Sequence, residues 1–228
     1  MRVPALVLLG AAAACATTPP EIGEPGAKVS DPTAEASYQA ALGRVTQHRE
    51  VYSELDTKFF CAATYQSADF REARVRRQAM FQLWPGEKLD QALVLERAEA
   101  ARTYEVVFGI LLVDRRFDDF ETKNTQWRLS LATDQGEVTP TVIRRVGRAT
   151  EALRAYYPYM GDFWVAYAVQ FPLAVGGKPL VGPTTRALTF RMGSALGQAE
   201  MSFPLEPGQP PVPAPTPTAA APQAPAAR

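Results

Sequence analysis

The chain is short of the residues that most site chemistry draws on. Two cysteines and one histidine occur in 228 residues. Cys15 lies in the leader region, so the folded part holds Cys61 alone. That excludes a disulfide framework and a cysteine-based zinc site. His48 is the only imidazole, so no two-histidine metal site can form within one chain. Net charge is also missing, because 24 Lys and Arg balance 24 Asp and Glu. A generic nucleic-acid binder needs surplus positive charge for its phosphate contacts, and this balance argues against one. There is no G-x-x-x-x-G-K-[ST] loop, no G-x-G-x-x-G fingerprint and no G-x-S-x-G elbow. A Ser-His-Asp triad would have to recruit His48, and so would a Cys61 thiolate seeking a base. Nothing in the spacing supports either, and no cofactor is implied.

What is present starts with the run Thr103 to Val113, TYEVVFGILLV. Tyr104, Val106, Phe108, Ile110 and Leu112 alternate onto one face. Val107, Gly109, Leu111 and Val113 take the other. Both faces are apolar, and the charged tract that follows ends the run at strand length. This predicts a central strand buried on both sides.

The other elements are arranged around it. Asp31 and Pro32 predict a helix start, with a short helix over Thr33 to Leu42. Val45 to Tyr52 fits either helix or strand. Thr57 to Tyr65 alternates and predicts a strand with Cys61 among its core-facing residues, where a small buried thiol is the ordinary outcome. Ala68 to Trp84 and Glu87 to Arg102 predict two helices, a hairpin insertion over about 68–102. Arg71, Arg74, Arg76 and Arg77 predict a solvated helix face in preference to a polyanion patch. Trp127 to Ala132 predicts a strand. Val138 to Val146 predicts its return, made an edge by Pro140. A short helix capped by Thr150 precedes a second strong strand, Phe163 to Phe171. Leu188 to Phe203 predicts a terminal hairpin. The fold class is mainly β, an antiparallel β-sandwich over residues 32–205 with the helical insertion.

Two clusters are candidate sites. Asp114, Asp118, Asp119 and Glu121 crowd the loop after the central strand, and hard cations such as calcium take converging carboxylates. Their spacing is not that of an EF-hand, and Arg115, Arg116 and Lys123 dilute the charge, so the expectation is no metal, with these four acids as weak candidates. Tyr156, Tyr157, Tyr159 and Trp164, beside Phe163, could stack on sugar rings. The competing expectation is that they fill the core, above all Phe163 and Trp164.

The ends carry an address. Arg2, the short apolar run Val3 to Gly10 and the small residues Ala11 to Ala14 read as a leader ending at Cys15. That run is far shorter than the roughly 20 apolar residues of a membrane-spanning helix. The row LLGAAAAC resembles the lipobox of bacterial lipoproteins, with Ala12 where the pattern usually has Leu. The resemblance implies lipidation of Cys15 and several buried acyl chains, palmitate-type, as a membrane anchor. Residues 16–31 are a flexible tether. Residues 206–228 are a Pro/Ala-rich tail expected to be disordered. Ala16 follows the cysteine where an inner-membrane retention signal would place Asp, which implies the outer membrane, facing the periplasm or the surface.

The rows YEVVFGILLVD, TQWRLSLATDQG, VIRRV, YYPYMGDFWVAYAVQFP and RALTFRM resemble a group of poorly characterised bacterial envelope lipoproteins with an immunoglobulin-like domain. The similarity covers about Leu55 to Phe203. It implies an immunoglobulin-like fold and an envelope location more than an activity. The first functional reading is a non-catalytic, lipid-anchored module that binds or scaffolds an envelope protein partner. The second reading is a carbohydrate- or peptidoglycan-binding module using Tyr156 to Trp164, with a cell-wall polymer as ligand. A hydrolase is third, and no nucleic-acid partner is expected.

Overall fold

A computed structural model describes residues 32–53 and 56–205. The expected leader with Cys15, the tether and the Pro/Ala-rich tail lie outside the described residues.

Helix α1 (Pro32–Arg44) leads into strands β1 (Thr46–Ser53) and β2 (Asp56–Tyr65). Helices α2 (Ala68–Phe81) and α3 (Gly86–Ala100) follow, then β3 (Tyr104–Leu112). After a loop come β4 (Arg128–Thr133), β5 (Gly136–Val138) and β6 (Val142–Arg148). Helix α4 (Glu151–Arg154) precedes β7 (Val165–Phe171), the two-residue strands β8 (Ala174–Val175) and β9 (Lys178–Pro179), and the hairpin β10 (Ala187–Ser194) and β11 (Gly197–Pro204). Every described strand pair is antiparallel. One sheet has the order β1-β2-β3-β7-β6, a second has β11-β10-β4-β5, and β8-β9 form a small ribbon.

β3 sits in the middle of the larger sheet and is buried on both sides, as its two apolar faces require. Phe108 and Ile110 of β3 and Tyr167 of β7 point at the second sheet, where Leu131, Phe190 and Met201 complete one core. Val107, Ala166 and Ala168 point the other way and meet Tyr38, Phe70 and Met160 in a second core. The order of layers is therefore helices, sheet, sheet. Close approach of the helical layer depends on Gly109. A Cβ there would stand 3.0 Å from both Met160 Cγ and Trp164 Cε3.

Three expectations change. The stretch 138–146 is not one return strand. β5 pairs with β4, and β6 pairs with β7 in the other sheet. Pro140 lies at the break, where its missing N–H ends the ladder. β6 is the edge of its sheet, and a bulge between Arg145 and Gly147 shifts its register. Phe163 is not a core residue: β7 starts at Val165, and Phe163 is 68% exposed. The turn closed by the Trp164 amide on the Gly161 carbonyl, 3.1 Å, takes it out of the strand alternation. The third change concerns α2. Arg71 and Arg77, expected on a solvated face, are buried.

The ambiguous stretch 45–52 is strand. β1 pairs with β2 in a register that sets His48 opposite Ala62 and Arg49 opposite Cys61. Residues opposite each other share a face, and neighbours along a strand do not. His48 and Cys61 therefore lie on opposite faces of the sheet and cannot act as a pair.

Candidate functional site

The burial of Arg71 organises the helical side of the larger sheet. Ser67 caps α2 by accepting the Phe70 amide at 3.2 Å, which sets the first turn. Arg71, in that turn, faces inward under α3. Its Nε donates to the Gln66 carbonyl at 3.0 Å, Nη1 to Glu96 Oε2 of α3 at 2.9 Å, and Nη2 to Glu105 Oε2 of β3 at 2.6 Å. One guanidinium thus ties α2, α3 and β3 together, and its planar fork suits the task. Arg74, one turn on, donates Nη2 to the other Glu96 oxygen at 2.7 Å. Burial pulls the Arg74 guanidinium down, and its surroundings, Glu96 and Glu105 among them, outweigh this and hold it above its ordinary value.

These ion pairs form the back wall of a groove of about 550 Å³ between the helical hairpin and the sheet. That is within the size range of small-ligand sites, about 300–1,000 Å³. Glu105 and Gln170, opposite each other on β3 and β7, form the floor, and Arg144 of β6 extends it. Leu95 and Glu99 of α3 and Trp84 of the helical turn also line the groove. The Lys88 ammonium stands 4.2 Å from the centre of the Trp84 ring. Gln170 Nε2 reaches Glu99 Oε1 at 3.4 Å. Arg102 and Arg144 also line the groove, and neither has an ion-pair partner among the described residues.

The expected aromatic platform is distributed through the helical layer. Tyr157 is buried, its hydroxyl donates to Gln66 Oε1 at 3.2 Å, and burial pushes it up to about 12. The Tyr159 hydroxyl is 2.7 Å from that of Thr64, which is 2.8 Å from that of Thr46, a buried hydroxyl chain. Tyr156 is half-buried, and its carbonyl accepts from Tyr38 at 2.8 Å. Trp164 is half-buried over Gly109. These rings pack into the second core, and Tyr157 offers no face to a sugar.

Each of the four loop acids has a partner, and Asp118 and Glu121 share one, Arg145. Asp114 pairs with Arg116 at 2.6 Å. Asp118 pairs with Arg145 at 2.5 Å and accepts from the Tyr167 hydroxyl at 2.8 Å. Asp119 accepts from Thr125 at 2.9 Å, and Glu121 lies 3.5 Å from Arg145. Among the described residues no group of three or more His, Cys, Asp or Glu is gathered to hold a metal ion. The Asp118, Arg145 and Tyr167 set fastens this loop to the edge strand.

The groove was not anticipated from the sequence. Its signal was available in α2. At about 100° per residue, Arg74 and Arg71 project between Phe70 and Val75, inside the apolar arc. Charged residues there ask for buried partners.

No protein-family model matches the chain, and no curated protein matches it. Among solved structures it resembles a crystal structure of a novel protein of unknown function from Burkholderia pseudomallei K96243. That similarity has a TM-score of 0.38 and 10% identity, and covers 77% of this chain and 84% of the other.

Proposed function

We propose that this chain is a lipid-anchored, non-catalytic module of the bacterial envelope, immunoglobulin-like in form, and that the groove beneath its helical hairpin receives an envelope partner. The observation that carries the reading is the construction of the groove. Its walls are held by Arg71 and Arg74 through Glu96 and Glu105, so the site is organised before anything binds. Two antiparallel sheets around one core support the immunoglobulin-like form. Cys15, followed by a Pro-rich tether, supports the anchor, and the rows similar to envelope lipoproteins support the address.

The test is crosslinking in intact cells, compared between the wild type and Ala98→Trp. Ala98 is exposed on the groove wall, and an indole there would obstruct the groove without entering the core. Loss of a crosslinked protein in the variant is the expected result. Retention on isolated cell wall would turn the assignment to the polymer-binding alternative. Capture that is equal in wild type and variant overturns the groove as the binding surface.

A further inference from the structure

We propose that the groove selects an organic anion, a carboxylate or phosphate carried beside a small apolar or aromatic portion. This rests on the groove being the binding surface. The charge arrangement leads to it. Arg71 and Arg74 are neutralised by Glu96 and Glu105. Set aside that internally balanced set, and three ionisable groups remain on the lining: Arg102, Arg144 and Glu99. Neither arginine has an ion-pair or hydrogen-bond acceptor for its guanidinium among the described residues. Glu99 is held only by the long contact from Gln170, 3.4 Å.

The two arginines come from different layers. Arg102 follows the C-terminal end of α3, and Arg144 lies on β6. On β6, Arg144 pairs with Ala168 of β7, which puts it on the helical side of the sheet with Gln170 and Glu105. An oxyanion in the groove would take donors from both layers. Guanidinium groups bind carboxylate and phosphate through paired N–H donors, which gives geometry as well as charge. The rest of the lining defines the remainder of the ligand. Val75, Trp84, Ala92 and Leu95 form an apolar side, and Leu95 is 70% exposed. An anion with an adjoining ring or short aliphatic portion would cover it.

Glu99 sets the sign of a control. It is the carboxylate on the lining that no arginine neutralises, so it repels an anion and would attract a cation. Removing its charge should tighten anion binding and weaken cation binding.

The experiment uses the full chain and three water-soluble probes of one shape: phenylacetate, phenylacetamide and benzylamine. Phenyl phosphate and inorganic phosphate are added as separate arms. Binding is followed by indole chemical shifts of Trp84, with Trp127 and Trp164 as internal references. The expected result is saturable binding of phenylacetate and phenyl phosphate, with little shift from phenylacetamide or benzylamine. Arg102→Gln and Arg144→Gln should each weaken the anions about tenfold, as loss of a charged hydrogen bond implies. Glu99→Gln should strengthen them. All three sites are on the groove lining outside the buried ion-pair set, and circular dichroism checks that each variant folds. Saturation by inorganic phosphate alone, with no added affinity from the phenyl group, would leave a bare phosphate site and overturn the apolar half of the proposal. Equal binding of amide and carboxylate, or arginine variants that bind as the wild type does, overturns the anion assignment. If Ala98→Trp abolishes envelope capture while these arginine variants do not, the groove stands as a binding surface and the anion selectivity falls.

Discussion

Arg71 and Glu105 meet at 2.6 Å beneath α3, with their side chains 3% and 14% exposed. The bond joins the first turn of α2 to the helical face of the central strand. The same guanidinium holds Glu96 of α3, so one side chain sets the position of both helices over the sheet. Desolvating these charges is costly, and their mutual hydrogen bonds offset the cost only while the set is complete.

Breaking that set should be expensive. Arg71→Ala leaves Glu105 half-buried and unpaired and should lower stability by about 3–5 kcal/mol. Arg76→Ala, on the exposed side of the same helix, should stay within about 0.5 kcal/mol. Urea denaturation of both variants measures the contrast. A loss below about 1 kcal/mol for Arg71→Ala would show that the ion pairs do not position the hairpin.

Gly109 has the opposite kind of sensitivity, to added volume. Its Cβ position is 3.0 Å from Met160 Cγ and Trp164 Cε3. Gly109→Ala should force these side chains off β3 and cost about 1–3 kcal/mol. Thermal unfolding gives the cost, and a shift of the Trp164 indole signal locates it. An unchanged melting temperature would mean that the helical layer does not sit this close to the sheet.

The thiol of Cys61 is buried between the sheets, and burial pushes it up to about 12. It should therefore resist alkylation at pH 8 in the native state, since thiolate is the reactive form and neither form is accessible. In a Cys15→Ala background, labelling should follow global unfolding and accelerate with denaturant. Rapid labelling of the native protein would show that β2 opens locally.

Glu35 of α1 carries a pH dependence. Burial raises its carboxyl, and the hydrogen bonds from Arg77 and Gln39 outweigh this, leaving it below its ordinary 4.5. A depressed carboxyl contributes stability that is full above the unfolded value and is lost as pH falls through the folded one. The stability gap between wild type and Glu35→Gln should be constant above about pH 5 and close at lower pH. Denaturation midpoints measured from pH 7 to pH 3 test this. A gap that persists at the acid end would assign the effect to packing around Arg77, which lies against Tyr38 at 4.3 Å from its ring centre.

Much of the strand inventory follows from the sequence alone. β3, β7 from Val165, and the β10 and β11 hairpin each declare themselves by alternation, and the hairpin turn is local. Strand period and turn chemistry act between residues a few positions apart, so a single chain segment is enough to specify them. Pro140 marked an edge for the same reason. What the segment could not specify was which sheet β6 would join, because that depends on β7 offering Val169 and Tyr167 as neighbours. Phe163, two residues outside β7, looked like one more member of its apolar face, and only the turn from Gly161 removes it. The arginines of α2 show the limit most clearly. Arg71 and Arg76 are the same residue type on one helix; the helical period sets Arg71 inside the apolar arc and Arg76 outside it, and says nothing of which residues would receive a buried charge. Glu96 and Glu105, 25 and 34 residues away, make one of them a buried strut, and that contact exists only once the hairpin has folded onto the sheet.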